Sequence, residues 1–186
     1  MVDVLKGVSC MLIVLHHLAF YGPMSDVALP LAPLLIGWLY DYGRMAVQVF
    51  LVVSGFLAAS SLAPGGDAVF DKPLQQILRR YARLAMPYLL ALTLSVAVAA
   101  LVRPWFDHVS VPNEPGLLQL LAHVLLLQGL LGQESLSAGV WYVAIDFQLF
   151  ALTVLGLTLA RRLQSRTAQR APWGMLLVAC MALASL

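Results

Sequence analysis

Charge is scarce in this chain of 186 residues: charged side chains make up 11% of it, 11 lysines and arginines against 9 aspartates and glutamates. That excludes an ordinary soluble globular domain, which carries about 25% charged residues. The net charge of +2 excludes the basic surface that nucleic acid demands, so no nucleic-acid partner is expected. Cysteine is scarcer still. Cys10 and Cys180 both fall inside apolar runs, which argues against a disulfide framework or a metal site and makes both small buried hydrophobes. Internal repeats, low-complexity tracts and any stretch polar enough for a soluble domain are lacking too.

What is abundant is apolar. Hydrophobic residues make up 61% of the chain and the mean hydropathy is +0.88. Lipid leaves the backbone to satisfy its own polar groups, and these runs are too long and continuous for barrel strands. The expectation is therefore an all-α, polytopic transmembrane helix bundle. The first apolar run superficially resembles a signal peptide. It carries His16 and His17, however, and no small-x-small cleavage site follows, so it reads as a retained first span.

Spans are expected over residues 4–21, 45–62, 84–102 and 140–160. Residues 22–42, with Pro23, Pro30 and Pro33, read as a loop holding a short apolar piece at 34–39, and Trp38, Tyr40 and Tyr42 read as interface anchors. Residues 67–83 read as a polar loop that becomes the amphipathic start of the third span. Residues 117–131 are apolar but short, and Gln119, His123 and Gln128 interrupt them. Arg161, Arg162, Arg166 and Arg170 follow the fourth span, and arginine clusters stay cytoplasmic. With a cytoplasmic N-terminus, that holds only if residues 117–131 re-enter or lie in the interface without crossing. Residues 173–186 read as the start of a fifth crossing. Residues 1–186 are thus expected to be one membrane-embedded domain, the N-terminal half of a larger bundle.

Polar groups at membrane depth are costly, and each is a functional candidate with a structural alternative. Lys6 and His17 stand about three helical turns apart on one face, roughly 16 Å of rise, while His16 is turned by about 100°. The pair is either a titratable base with its neighbour or two histidines satisfied in a core. Arg79, Arg80 and Arg83, in RRYARLAMPY, project from nearly one side of a helix start. Guanidinium forks suit phosphates, but the same residues also suit plain topology or anionic headgroups. Ser54 and Gly55 read as a helix-packing seam, because nothing beside Ser54 activates a nucleophile. Asp146, beside Gln148, needs a partner. Under the expected topology it lies toward the same side as His17, where a carboxylate would fix the imidazole tautomer and raise its basicity. A plain helix-to-helix hydrogen bond is the alternative.

Lys6-Gly7 followed by VLHH, then VFLVVSGFL, RRYARLAMPY and VWYVAIDFQLF, together resemble the acyltransferase 3 family of membrane-bound O-acyltransferases. The resemblance implies a bundle of roughly ten spans, all of them helical in lipid, in a bacterial inner membrane. It implies transfer of an acyl group, commonly acetyl, from cytoplasmic acyl-CoA to a sugar hydroxyl of a cell-envelope glycan or glycolipid, with no permanently bound cofactor. Its histidine falls on His17, the basic residue before it on Lys6, its R-x-x-R motif on Arg80 and Arg83, its S-G-F motif on Ser54, Gly55 and Phe56, and its acid on Asp146. Lys6, Arg80 and Arg83 would then hold CoA phosphates, and His17 and Asp146 would be catalytic. His16, Ser54, Gly55 and Gln148 would support them. Where this chain has Lys6 and Asp146 the family usually has arginine and glutamate, so charge is kept while the fork and one methylene are lost. Half a bundle is expected to be inactive alone. The rival reading is a transporter or flippase of an anionic glycolipid or small acid, for which an inverted repeat would be the signature. A non-enzymatic scaffold subunit is the third possibility, and it would tolerate loss of His17.

Overall fold

The computed structural model describes residues 2–21, 24–106 and 111–166. Among the described residues there is helix and turn but no strand, as a long apolar chain in lipid requires. The helices are α1 (Val2–Phe20), α2 (Met24–Ala28), α3 (Pro33–Tyr42), α4 (Ala46–Leu62), α5 (Pro73–Val102), α6 (Leu117–Val124) and α7 (Val140–Arg166), with short 3-10 turns at Leu29–Leu31 and Gly43–Met45. Four helical stretches are long and apolar enough to cross a membrane: Val2–Phe20, Pro33–Leu62, Pro73–Val102 and Val140–Arg166. The fold is all-α and the protein is an integral membrane protein. The stretch from Trp173 onward, expected to begin another crossing, lies outside the described residues.

The chain divides into two compact units, Met1–Ser54 with Ala99–Glu114, and Gly55–Val98 with Pro115–Leu186. In the first, α1 packs on α3 and on the short α2. The buried residues of α1 are Ser9, His16 and Ala19, spaced to share one face. The expected loop 22–42 is mostly helix instead. Pro33 opens α3 with its φ already helical. Gly43 has a helical φ of −57°. It is buried against α1, and a Cβ there would stand 2.7 Å from the His16 Cβ. Glycine is present for a close approach, so Pro33–Leu62 continues as one apolar stretch through a 3-10 joint.

In the second unit α5 and α7 run antiparallel. Arg161 near the end of α7 donates to the Phe70 carbonyl just before α5, and the ring of Tyr81 meets Phe147 edge-on at 5.7 Å. Tyr88 and Leu92 share a buried cluster with Val140 and Ala144. The 30 residues of α5 rise about 45 Å, more than the roughly 30 Å of hydrocarbon, so its arginine-bearing turns belong to the same helix as its span. Pro87 lies inside α5 and removes the bond that the Arg83 carbonyl would otherwise accept.

Residues 117–139 show what the polar interruptions are for. The eight residues of α6 rise only about 12 Å, too short to cross, and the chain then turns back through irregular backbone. Leu126, wholly buried, sits at a φ of 57°, a left-handed conformation that strongly packed surroundings must enforce. Backbone of this kind survives at membrane depth only if protein groups satisfy it, and side chains do so. Gln148 donates to the Leu126 carbonyl at 2.7 Å, Tyr81 to that of Val124 at 2.7 Å, Gln128 to that of Val140 at 3.2 Å and Gln119 to that of Glu134 at 2.9 Å. His123 accepts the Leu136 N–H on Nε2 at 3.2 Å and donates from Nδ1 to the Gln119 carbonyl at 2.8 Å. Its proton therefore sits on Nδ1.

Candidate active site

The two histidines of α1 have different fates. His16 is buried, 7% exposed, and donates from Nδ1 to the Leu39 carbonyl at 2.9 Å. A carbonyl only accepts, so His16 is a fixed tautomer tying α1 to α3. His17 is half-buried. Its ring lies 5.6 Å from that of His16 and 5.8 Å from that of Tyr21, and among the described residues it makes no hydrogen bond. It remains available to a substrate where His16 is not. Lys6 is half-exposed on the same helix, about 16 Å of rise away.

The second unit carries the charged part. Arg80 of α5 donates from Nη2 to Asp146 Oδ2 of α7 at 2.6 Å. Asp146 is 7% exposed and Arg80 24%. The guanidinium also lies over the Phe150 ring, 5.2 Å from its centroid, a cation–π contact that strengthens away from water. Tyr142 stands one turn before Asp146 on α7. The sequence placed Arg80 at one membrane surface and Asp146 toward the other; the ion pair puts them at one level. About 10 Å of rise separates Arg80 from the start of α5 and about 9 Å separates Asp146 from the start of α7, so the pair lies between one and two turns inside each helix.

Asp146, expected beside His17, is thus held by an arginine of its own unit. A buried acid signals that it needs a cation, but only the antiparallel register of α5 and α7 singles out Arg80 from its neighbours. Phe150 and Tyr142 carried no sequence signal beyond their place on α7. Arg83 and Arg79 are exposed. Gln148, expected to support the acid, instead supports the backbone of the returning loop. Ser54 is half-buried in the first unit, whereas Gly55, in the second, is exposed and a Cβ there would meet nothing within 4 Å. The packing seam expected at Gly55 has no neighbour among the described residues. Nor, among the described residues, do three or more His, Cys, Asp or Glu side chains gather as a metal site would need.

The first unit thus holds an imidazole, that of His17, whose ring has no hydrogen bond among the described residues, and the second holds the part-buried ion pair of Arg80 with Asp146; the four long apolar stretches around them define an integral membrane protein. The chain belongs to the acyltransferase 3 family, whose model, described as an acyltransferase domain, matches residues 2–186. It is an acyltransferase. No curated protein and no solved structure matches it.

Proposed function

We propose that the protein moves an acyl group, acetyl in the simplest case, from acyl-CoA to a hydroxyl of a cell-envelope glycan or glycolipid, in a bacterial inner membrane with its N-terminus cytoplasmic. Membership of the family supports acyl transfer; the donor, the acceptor and the residue roles are inferred from chemistry. The observation that carries the reading is the division between the histidines, with His16 spent on the Leu39 carbonyl and the His17 ring left unbonded among the described residues. A neutral imidazole is suited to take the proton of an acceptor hydroxyl near physiological pH. The acceptor oxygen then attacks the thioester carbonyl, the carbon–sulfur bond breaks, and the CoA sulfur leaves as thiolate and takes up that proton. Alternatively the acyl group passes first to the imidazole and then to the acceptor.

The donor carries phosphates, and exposed Arg83 is suited to grip them with its fork. Lys6 adds a point charge. Arg80, anchored by Asp146, contributes a fixed cation whose aim is set by that carboxylate, which makes Asp146 a positioning residue for Arg80. The test is acyl transfer from labelled acetyl-CoA by the protein in nanodiscs, with membrane glycolipid as acceptor. His17→Ala should lose about 10²–10⁴-fold in rate while acetyl-CoA binding persists. Wild-type transfer by His17→Ala would overturn the reading.

A further inference from the structure

Beside the end of α1, within the first unit, lies a cavity of about 300 Å³, at the lower end of the roughly 300–1,000 Å³ usual for small-molecule sites. Phe20 and Tyr40 form one wall, their rings stacked with centroids 5.0 Å apart and planes 22° from parallel. Leu29 and Ile36 add apolar surface, and Ser25 and Asp26 supply the polar groups. Asp26 is exposed and Ser25 buried. Rings connect this wall to the candidate base: His17 to His16 at 5.6 Å, His16 to Phe20 at 5.5 Å, Phe20 to Tyr40 at 5.0 Å.

We infer that this cavity is a subsite for an uncharged sugar ring. The inference rests on the acyl-transfer reading and gives the acceptor a place within it. Aromatic faces are electron-rich and attract the C–H face of a pyranose, and a carboxylate accepts hydrogen bonds from neighbouring hydroxyls. A site of apolar walls with a few polar groups is the usual form of a small-ligand pocket. The same carboxylate repels phosphates and carboxylates, so the cavity selects against CoA and against acidic sugars. Lys6, the basic residue of α1, stands about 21 Å of rise from Phe20, which separates donor charge from acceptor ring along a single helix, with His17 one turn short of the cavity.

Gly37 makes a clean test. It lines the cavity, and a Cβ there would meet nothing within 4 Å, so the first carbon of Gly37→Leu enters open space, the rest of the side chain takes up cavity volume, and the substitution favours the helix. Binding of methyl β-D-glucopyranoside and of methyl β-D-glucopyranosiduronate to the protein in nanodiscs is read by saturation-transfer NMR, with acetyl-CoA binding measured alongside. The neutral glycoside should bind and the uronate should be excluded. Gly37→Leu should weaken glycoside binding at least tenfold and leave acetyl-CoA binding unchanged, and Asp26→Asn should weaken the neutral sugar severalfold and admit the uronate. Glycoside binding that is undetectable in the wild type, or equal in wild type and Gly37→Leu, would overturn the subsite. So would equal affinity of the wild type for the two sugars. A protein that binds the glycoside at this cavity but no acetyl-CoA leaves the subsite standing and removes the proposed donor.

Discussion

At the scale of single residues, adjacent histidines do different work because a helix turns about 100° per residue. His16 faces α3 and closes a hydrogen bond to a backbone carbonyl; His17 does not. His16→Ala deletes a buried donor and opens space against Gly43, and should destabilise the protein by about 1–3 kcal/mol, read as a lower thermal midpoint in detergent, while transfer at permissive temperature is largely kept. Gly43→Ala should behave alike for the opposite reason, since the added carbon meets His16 at 2.7 Å and overpacking costs about 1–3 kcal/mol. If either variant loses transfer at full thermal stability, His16 is part of the chemistry. Arg83→Ala should raise the KM for acetyl-CoA roughly tenfold with no change in melting, because a charge-assisted hydrogen bond contributes about 1.5–3 kcal/mol. An unchanged KM at low ionic strength would return Arg83 to a purely topological role.

At the scale of elements, Arg80 and Asp146 join α5 to α7 through one part-buried ion pair. Removing one member of a buried ion pair strands the other and costs about 3–5 kcal/mol, whereas removing both costs much less. Arg80→Met and Asp146→Leu should each lower the thermal midpoint sharply, and the double variant should recover most of the loss. Additive losses would mean that the 2.6 Å contact contributes nothing to the fold. The returning segment after α6 obeys a related rule. Carbonyls in and beside it are satisfied by Gln148, Tyr81 and Gln128, so Gln148→Leu should loosen the loop around Leu126 and speed amide exchange there, leaving α1 unaffected.

At the scale of the whole molecule, four long helices and one short one set how the chain threads the bilayer. Because α6 does not cross, Trp105 and Glu134 should face the same side and Gln164 the opposite one. Cysteines introduced singly as Trp105→Cys, Glu134→Cys and Gln164→Cys, in a background with Cys10 and Cys180 replaced by serine, can be probed with an impermeant thiol reagent on intact cells. Labelling of the first two and protection of the third is expected. Labelling of Gln164→Cys from outside would reverse the orientation on which the donor and acceptor sides of the proposed function depend.

Composition alone determined the class of this protein: long apolar runs have no stable form in lipid except the helix, and the polar residues that interrupt them are few enough to stand out. Lys6, His17, Arg80, Arg83 and Asp146 stood out as candidates for that reason, and the shortness of the segment that returns was legible too. Tertiary structure decided the partners. Which imidazole is spent on Leu39, which arginine meets Asp146, and why Gln148 lies in an apolar run depend on contacts between elements distant in sequence, while Gln119, His123 and Gln128 serve the fold of their own returning segment. Local pattern misread residues 22–42 as loop, because three prolines read as breakers although Pro33 opens a helix, and the demand for glycine at position 43 comes from a neighbouring helix and not from its own backbone. A residue's cost in lipid is a local quantity, whereas the group that relieves that cost arrives from another part of the chain.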